Sequence, residues 1–515
     1  MSRYFVTTAI SYPNGNPHIG HAYEDIATDW LARFARLDGR DTFFLTGTDE
    51  HGLKIAQAAR AAEVEPKDYV DGMFLKFKEM ADKLQISYDR FIRTTDADHK
   101  AVVQALWTRL EAAGDIYLDR YEGWYSVRDE AYYDEEDLVV ADDGTRLAPT
   151  GTAVAWTQEE SWFFRLSRFQ EPLLKLYSEH PGFVQPPNRL NEMRAFVERG
   201  LKDLSISRTS FDWGIPVPNA PGHVMYVWMD ALTNYLTPSG WPAAGWEAHW
   251  PADLHVIGKD VVRFHAIYWP AFLMSAELPL PKTVFGHGFV LNRGEKMSKS
   301  LGNIVDPIGL VETFGVDPLR YYMLRAIQFG QDGEWSHEAI GRRINADLAN
   351  DLGNLAQRTL SMIAKNCDGR VPPAGPQTGE DVALLETLSA MLPEARSAHA
   401  AVRPDIALDC IWARVSAVNG YLNEMAPWAL RKTDPARADI ILYHAAEAVR
   451  QIALLVQPAM PGSAARLLDQ LGVGEGSRSF AAFADRLVPG TLLPAPEGLF
   501  PRWIDPQAAV VARNA

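Results

Sequence analysis

Two short segments concentrate side chains suited to phosphate chemistry. Pro17-His18-Ile19-Gly20-His21 places two imidazoles three residues apart, on one side of a first helical turn, so both can face a single anion. Gly20 removes a side chain between them and permits close approach. The free N–H groups and positive end of a helix starting here attract phosphate. Lys296-Met297-Ser298-Lys299-Ser300 sets two lysines and two hydroxyls in a glycine-flanked loop (NRGEKMSKSLGN) that can wrap a polyphosphate. Lysine is a mobile point charge, suited to charge that moves during nucleotidyl transfer. Taken singly, each segment has a bland alternative: two surface histidines near a helix start, or a basic surface loop.

These segments need a scaffold that brings them together. Residues 5–10 read as a short buried strand bounded by Pro13, Gly15 and Pro17. Ile19, Tyr23, Ile26, Ala27, Trp30 and Phe34 recur at helical spacing, which predicts a helix over 18–37, stopped by Gly39. Pro17 stands just before it, where a missing N–H costs little. Residues 42–46 (TFFLT) form a second buried strand. Strand, helix and strand in so short a span imply a right-handed crossover and a parallel sheet, with ligands at the strand carboxyl ends. The rhythm returns with a strand at 254–257, a helix at 260–276 and a strand at 283–291. Between these stretches, residues 118–221 are rich in aromatic, acidic and turn residues and read as an insertion. Beyond residue 341 only amphipathic helices follow, over 344–364, 382–399, 406–425 and 437–457, which predicts an antiparallel bundle.

The 515 residues are 47 % apolar and 23 % charged, an ordinary globular composition that excludes a disordered chain or a small disulfide scaffold. No window reaches 18 uninterrupted apolar residues, and the first residues hold no signal-peptide stretch. Cys367 and Cys410 are the only cysteines, which fits a reducing cytoplasm and precludes a Cys-rich zinc site. A cytoplasmic protein without a membrane partner is expected. The net charge of −16 argues against a generally basic nucleic-acid binder but leaves room for one local basic face.

An H-I-G-H at the first βα turn, together with K-M-S-K-S after the last strand of a split α/β domain, resembles the class I aminoacyl-tRNA synthetases. The resemblance sharpens to the methionyl family. Ala9-Ile10-Ser11-Tyr12 before Asn14-Gly15, Phe44 to Gly52 (FLTGTDEHG), Tyr226-Val227-Trp228-Met229-Asp230-Ala231, and Ile257-Gly258-Lys259-Asp260 with Phe264-His265 are similar to its active-site blocks. The implied fold is α/β: a Rossmann-type parallel sheet split by a connective insertion and followed by an α-helical anticodon-binding bundle. The expected boundaries are 1–115 and 223–291 for the catalytic halves, 116–222 for the insertion, and 292–343 for the linking segment with the lysine loop. The bundle spans 344–488 and the tail 489–515.

The resemblance implies activation of methionine by ATP carrying Mg2+, then transfer to the 3′ end of initiator and elongator tRNA(Met). His18, His21, Lys296 and Lys299 would be catalytic. Asp49 is a carboxylate at a strand end, suited to holding the substrate ammonium. A methionine pocket should be aromatic and apolar with one weak polar contact to sulfur, and Ile10, Tyr12, Trp228, Ala231, Tyr235, Val261 and His265 supply that. By resemblance, the Tyr235 hydroxyl and the Ile10 backbone lie near the sulfur. Gly20, Glu24, Gly258, Asp260, His287, Gly288 and Val290 would hold ATP beside the catalytic four, and Arg208 would support the substrate site. Relatives often carry zinc knuckles in the insertion; here Ser126 and Asp129 stand at the C-x-x-C spacing, so no metal is expected. The acidic run Asp129, Asp134, Glu135, Glu136 and Asp137 reads as a solvated face.

In the bundle, Leu348, Leu352 and Leu355 share one face, whereas Asn354 and Arg358 are four apart on another. An amide and a guanidinium suit base-edge readout, and Trp428 after Pro427 suits stacking. By resemblance these three read the CAU anticodon, with Arg342, Arg343, Arg358, Arg431 and Lys432 as a local basic track. A sister synthetase with a large editing insertion has no room in this length. A cysteinyl relative would need a Cys-ligated zinc. A nucleotidyltransferase without RNA would not explain the helical third. An RNA-binding module with a decayed site is at odds with intact His18, His21, Asp49, Lys296 and Lys299. A monomer is expected, since no extra C-terminal domain follows the bundle.

Overall fold

The protein is described from a computed structural model covering residues 2–126, 131–133, 135–141, 143–292, 294–296 and 304–505. Lys299, Asp129 and Asp134 lie outside these described residues.

Six parallel strands form the central sheet: β1 (Arg3–Thr8), β2 (Asp41–Thr48), β3 (Arg90–Arg93), β4 (Val184–Gln185), β5 (Leu254–Gly258) and β6 (Val284–His287), in the order β3-β2-β1-β5-β6-β4. β1 is buried along five of its six residues, as a strand covered on both faces must be. The crossover from β1 to β2 is helix α1 (Ile19–Leu37), which buries Ile19, Tyr23, Ile26, Trp30 and Phe34. The order of strands reverses between β1 and β5. Loops leaving these two neighbours diverge there and open a crevice.

Ahead of the helical third, three features differ from the sequence reading. The segment expected as an insertion, 116–222, contributes β4 to the central sheet, because Val184 and Gln185 pair with Val284 and Phe285. What stands apart is an antiparallel sheet built from Ile116–Ser126, Ala131–Tyr133, Ala155–Phe164 and Leu204–Ser205. Residues 283–291 are not one strand. The chain breaks after β6, and Val290–Asn292 joins a small sheet with Glu295–Lys296 and Gly333–Glu334. Gly288 permits the break: a Cβ there would stand 2.2 Å from the backbone of Gln331. The expected helix over 260–276 starts as a 3-10 turn (Lys259–Val261) and a π-helical turn (Phe264–Tyr268) before Trp269–Ser275. Pro270 has no N–H to offer the carbonyl of Ala266, and the Tyr177 hydroxyl donates to that oxygen instead, at 2.7 Å.

In the helical third, a π-helical stretch (Ile344–Gly353) precedes Asn354–Asn366, and the helix expected over 382–399 divides into Gly379–Ser389 and Met391–Ala400. Pro404–Met425 and Pro435–Val456 complete the main helices. Their core is continuous with the apolar face of α1. Phe34 stacks on His399 at 4.5 Å and meets Phe480 edge-on at 4.8 Å. The fully buried Arg320 bonds to Asp29 of α1 at 2.6 Å and to the carbonyls of Pro458 and Ala459. The bundle and the central sheet therefore share one packed interior.

Candidate active site and anticodon-facing patch

The crevice between β1 and β5 holds a cavity of about 370 Å3. Its wall includes Ile10, Tyr12, Asp49, Trp228, Ala231, Tyr235, Val261 and His265, the eight residues expected at methionine. It also includes Gly20, His21, Glu24, Gly258 and Asp260 from the expected ATP set. Strand ends supply Ile10, Asp49 and Gly258, helical turns supply Trp228, Phe264 and His265, and the segments beside them supply Tyr12 and Tyr235.

The Tyr235 hydroxyl lies 2.7 Å from His265 Nε2, and His265 Nδ1 lies 2.9 Å from the Val261 carbonyl. A carbonyl can only accept, so Nδ1 carries the proton and the Tyr235 hydroxyl donates to Nε2. Burial lowers the His265 pKa to about 4 and raises that of Tyr235, so both are neutral. The Tyr235 proton is thus committed to His265, and its oxygen presents lone pairs and a ring edge to the cavity. Trp228 stacks on Phe264 at 3.8 Å and 9°.

The first turn of α1 differs from the sequence expectation in one respect: its amides are not free. Backbone amides in the first turn of α1 are already bonded. Ile19 N–H donates to Val305 O, Gly20 N–H to His18 Nδ1 (3.1 Å), and His21 N–H to His18 O. His18 N–H in turn donates to His21 Nδ1 at 3.1 Å, closing a reciprocal cap, and the rings stack at 3.8 Å. With Nδ1 accepting, the proton of each neutral ring sits on Nε2. Burial, reinforced by His18, holds the His21 pKa well below the usual histidine range. The helix start therefore offers Nε2–H donors and a helix dipole rather than free amides. Gly20 is required because the His18 ring folds back over it, 2.9 Å from where a Cβ would stand.

Glu24 also has internal duties. Its Oε1 accepts from Ala9 N–H at 2.9 Å, and its Oε2 lies 2.7 Å from His287 Nε2. His287 Nδ1 donates to Gly288 O at 2.8 Å. Burial disfavours the charged ring, but the hydrogen bond and charge of Glu24 outweigh it and raise the His287 pKa. His18, His287, Gly288 and Val290 flank the cavity rather than line it. Lys296 is in Glu295–Lys296, paired with Leu291 in the small sheet. Arg208, expected to support the site, stands outside the cavity wall: its guanidinium bonds to Ser205 and the Ser207 carbonyl and lies 4.7 Å from the ring of Tyr226. Tyr226 in turn stands at the N-cap of the helix bearing Trp228.

Lys54 and Asp25 of the wall escaped the sequence reading. Lys54 lies 5.2 Å over the Tyr12 ring. Asp25 is buried in the wall; burial and neighbouring Glu24 push its pKa well up. Its spacing from His18 and His21, on the same face of α1, was the signal available.

In the bundle, the second expected cluster also assembles. Asn354 is exposed at the start of its helix, and Arg358, one turn on, donates to Asn423 at 3.1 Å. The Arg358 guanidinium lies 5.2 Å from the ring of Trp428, which is 48 % exposed. Ala426, at φ +40°, makes a left-handed turn that ends the preceding helix and swings Trp428 outward. The expected basic track is thinner than the sequence implied. Arg343 is paired with Asp347, and Arg431 with Asp439 and the carbonyl of Asn366.

In the antiparallel sheet, Ser126 shares a 2.8 Å hydrogen bond with Thr152. Trp124 meets Trp156 at 5.3 Å, beneath the Arg146 guanidinium. Among the described residues, no three His, Cys, Asp or Glu side chains group to hold a metal ion.

The family model for class I tRNA synthetases (M) matches residues 4–141 and 145–360, and that for the anticodon binding domain of methionyl tRNA ligase matches 371–513. A methionine–tRNA ligase of Brucella suis biovar 1 is 57 % identical over 510 residues, 98 % of this chain and 99 % of that one. One from Rhizobium meliloti is 57 % identical over 512 residues, with the same coverage. Among solved structures, Mycobacterium tuberculosis methionyl-tRNA synthetase in complex with methionyl-adenylate superposes with a TM-score of 0.96 at 57 % identity, covering 98 % of this chain and 100 % of that chain. The apo form gives 0.88 at 53 % identity, covering 98 % and 99 %.

Proposed function

The chain belongs to the methionyl family of class I tRNA synthetases, and from that premise we propose how its residues divide the work. It is a methionine–tRNA ligase: it activates methionine with ATP and charges tRNA. The observation that carries the residue assignment is the single cavity joining the apolar, aromatic wall to the capped start of α1.

Methionine enters with its ammonium at Asp49 and its side chain among Ile10, Tyr12, Trp228, Ala231, Tyr235, Val261 and His265. Its carboxylate attacks the α-phosphorus of ATP, the bond to the β-phosphate oxygen breaks, and pyrophosphate leaves. The Nε2–H groups of His18 and His21, with Lys296 and Lys299, meet the phosphate charge that builds in that step. Mg2+ arrives with ATP as part of the substrate. Gly258 and Asp260 lie toward the ribose, while His287, Gly288 and Val290 shape the far side of the nucleotide. Glu24 holds Ala9 and His287 in register. In the second step the 3′-terminal ribose hydroxyl of tRNA attacks the methionyl carbonyl and AMP leaves.

Asn354, Arg358 and Trp428 read the anticodon, common to initiator and elongator tRNA(Met). The insertion is held without zinc, and the enzyme works as a monomer in the cytoplasm. No helix among the described residues is long and apolar enough to cross a membrane.

ATP–pyrophosphate exchange with each of the twenty amino acids, without tRNA, tests the pocket. Exchange with methionine alone is expected; exchange with another amino acid in its place overturns the pocket assignment.

A further inference from the structure

We propose that Asp230 is a positioning residue that fixes the separation of the two walls of the methionine pocket, and through it the pocket's affinity and side-chain selectivity. The proposal rests on the pocket assignment above. Asp230 lies outside the cavity wall and is 1 % exposed, in the helix Val227–Thr233. Its Oδ2 is 2.6 Å from His51 Nδ1, and its Oδ1 is 2.7 Å from His99 Nε2.

Both flanks of this carboxylate reach the cavity. On its own helix, Trp228 and Ala231 form one wall. Across the hydrogen bond, His51 follows Asp49 by two residues and accepts the Tyr12 hydroxyl on its carbonyl at 2.9 Å. Asp49 and Tyr12 belong to the opposite wall. One contact therefore joins four pocket residues from three segments: the helix, the end of β2 and the loop after β1. His99, on Ala97–Ala112, braces the carboxylate from behind and is itself held by Thr237 at 3.0 Å.

The surrounding segment is arranged for rigidity. Glu50 takes a bidentate hydrogen bond from Arg93 (2.7 and 2.9 Å), and its carbonyl accepts the Trp213 indole at 2.7 Å. A carboxylate buried in an otherwise apolar turn is costly, and well-packed apolar residues often match such a bridge for stability. Its return here is geometric. Pockets separate substrates differing by one methylene by only about 1–3 kcal/mol, and that margin survives only if the walls stay within roughly half an ångström of their place.

The test is ATP–pyrophosphate exchange on the full chain, with active sites counted by adenylate burst, using methionine and ethionine. Asp230→Asn should raise the methionine KM roughly tenfold, the size of one lost charge-assisted hydrogen bond. The ATP KM and the kcat per active site should stay within about twofold, and the methionine-to-ethionine preference should fall. His51→Leu breaks the same bond from the other side and carries the same expectation if Asp230→Asn does not fold. His51→Asn, which keeps an N–H near the Nδ1 position, should restore most of the affinity. A lowered kcat or melting temperature with unchanged methionine KM and unchanged preference would overturn the proposal. Wild-type exchange with methionine is the control, and its absence would overturn the pocket assignment and the proposal with it.

Discussion

In the crevice between β1 and β5, polar groups are oriented by other protein groups before any ligand arrives: His18 by the Gly20 amide, His21 by the His18 amide, Tyr235 by His265, and Glu24 by Ala9 and His287. In the bundle, Asn354 and Trp428 are exposed, and Arg358 has one side-chain hydrogen bond and a ring beside it. The difference follows from what each end must do. A small substrate held for an attack on phosphorus gains from fixed dipoles that need no reorganisation. Unstacked RNA bases bring their own surface and need a platform with hydrogen-bonding edges beside it.

The contrast is broken most severely at His21, whose ring caps the helix and is proposed to meet phosphate as well. His21→Gln keeps a donor near the Nε2 position but loses the cap; His21→Asn keeps an acceptor near Nδ1 but loses the reach. If the outer edge serves the phosphate, His21→Asn should lower the kcat of exchange by about 10²-fold or more, and His21→Gln by clearly less. Thermal melting should rank the two in the opposite order, because only Asn retains the helix cap. Equal kinetic losses would mean that the histidine serves the helix alone.

The exposed end should give a smaller and cleaner effect. Trp428→Ala removes a stacking surface worth about 1–3 kcal/mol per base, so tRNA charging should fall roughly 10–100-fold in kcat/KM. Exchange without tRNA should be unchanged, since Trp428 touches none of the cavity wall. Loss of exchange would show that the ring is needed for the shared interior instead.

Legibility in the sequence divides along a similar line. Periodicity exposed α1, β1, β2 and the bundle, because long apolar faces repeat locally. β4 was hidden: two residues carry no alternation, and only their pairing with Val284 and Phe285 makes them a strand. Pro270 was visible, but its consequence depends on Tyr177, far away in the chain. Within the site, each wall could be listed from local blocks and a family resemblance, whereas internal partnerships could not. Asp230 stands in plain view inside VWMDAL, yet His51 and His99 lie 179 and 131 residues earlier. The Glu24–His287 pair spans 263 residues, and the sequence offers each as a contact to ATP without showing that they meet.

That pair supports the subtlest prediction. His287 is buried, disfavouring its charge, and Glu24 reverses the balance, so its folded pKa is raised. A group whose pKa is raised by folding adds stability that is fully present below its unfolded value, near 6.5, and is lost as pH rises through the folded value. Replacing His287 by Gln keeps a donor but removes the titratable charge. The wild type should therefore melt about 2 °C higher than His287→Gln at pH 6, and the gap should close as pH rises above neutrality. Thermal scans of both proteins across that range measure the gap directly. A gap that widened with pH would mean that the ring is held neutral, and that Glu24 is aligned by the Ala9 amide alone.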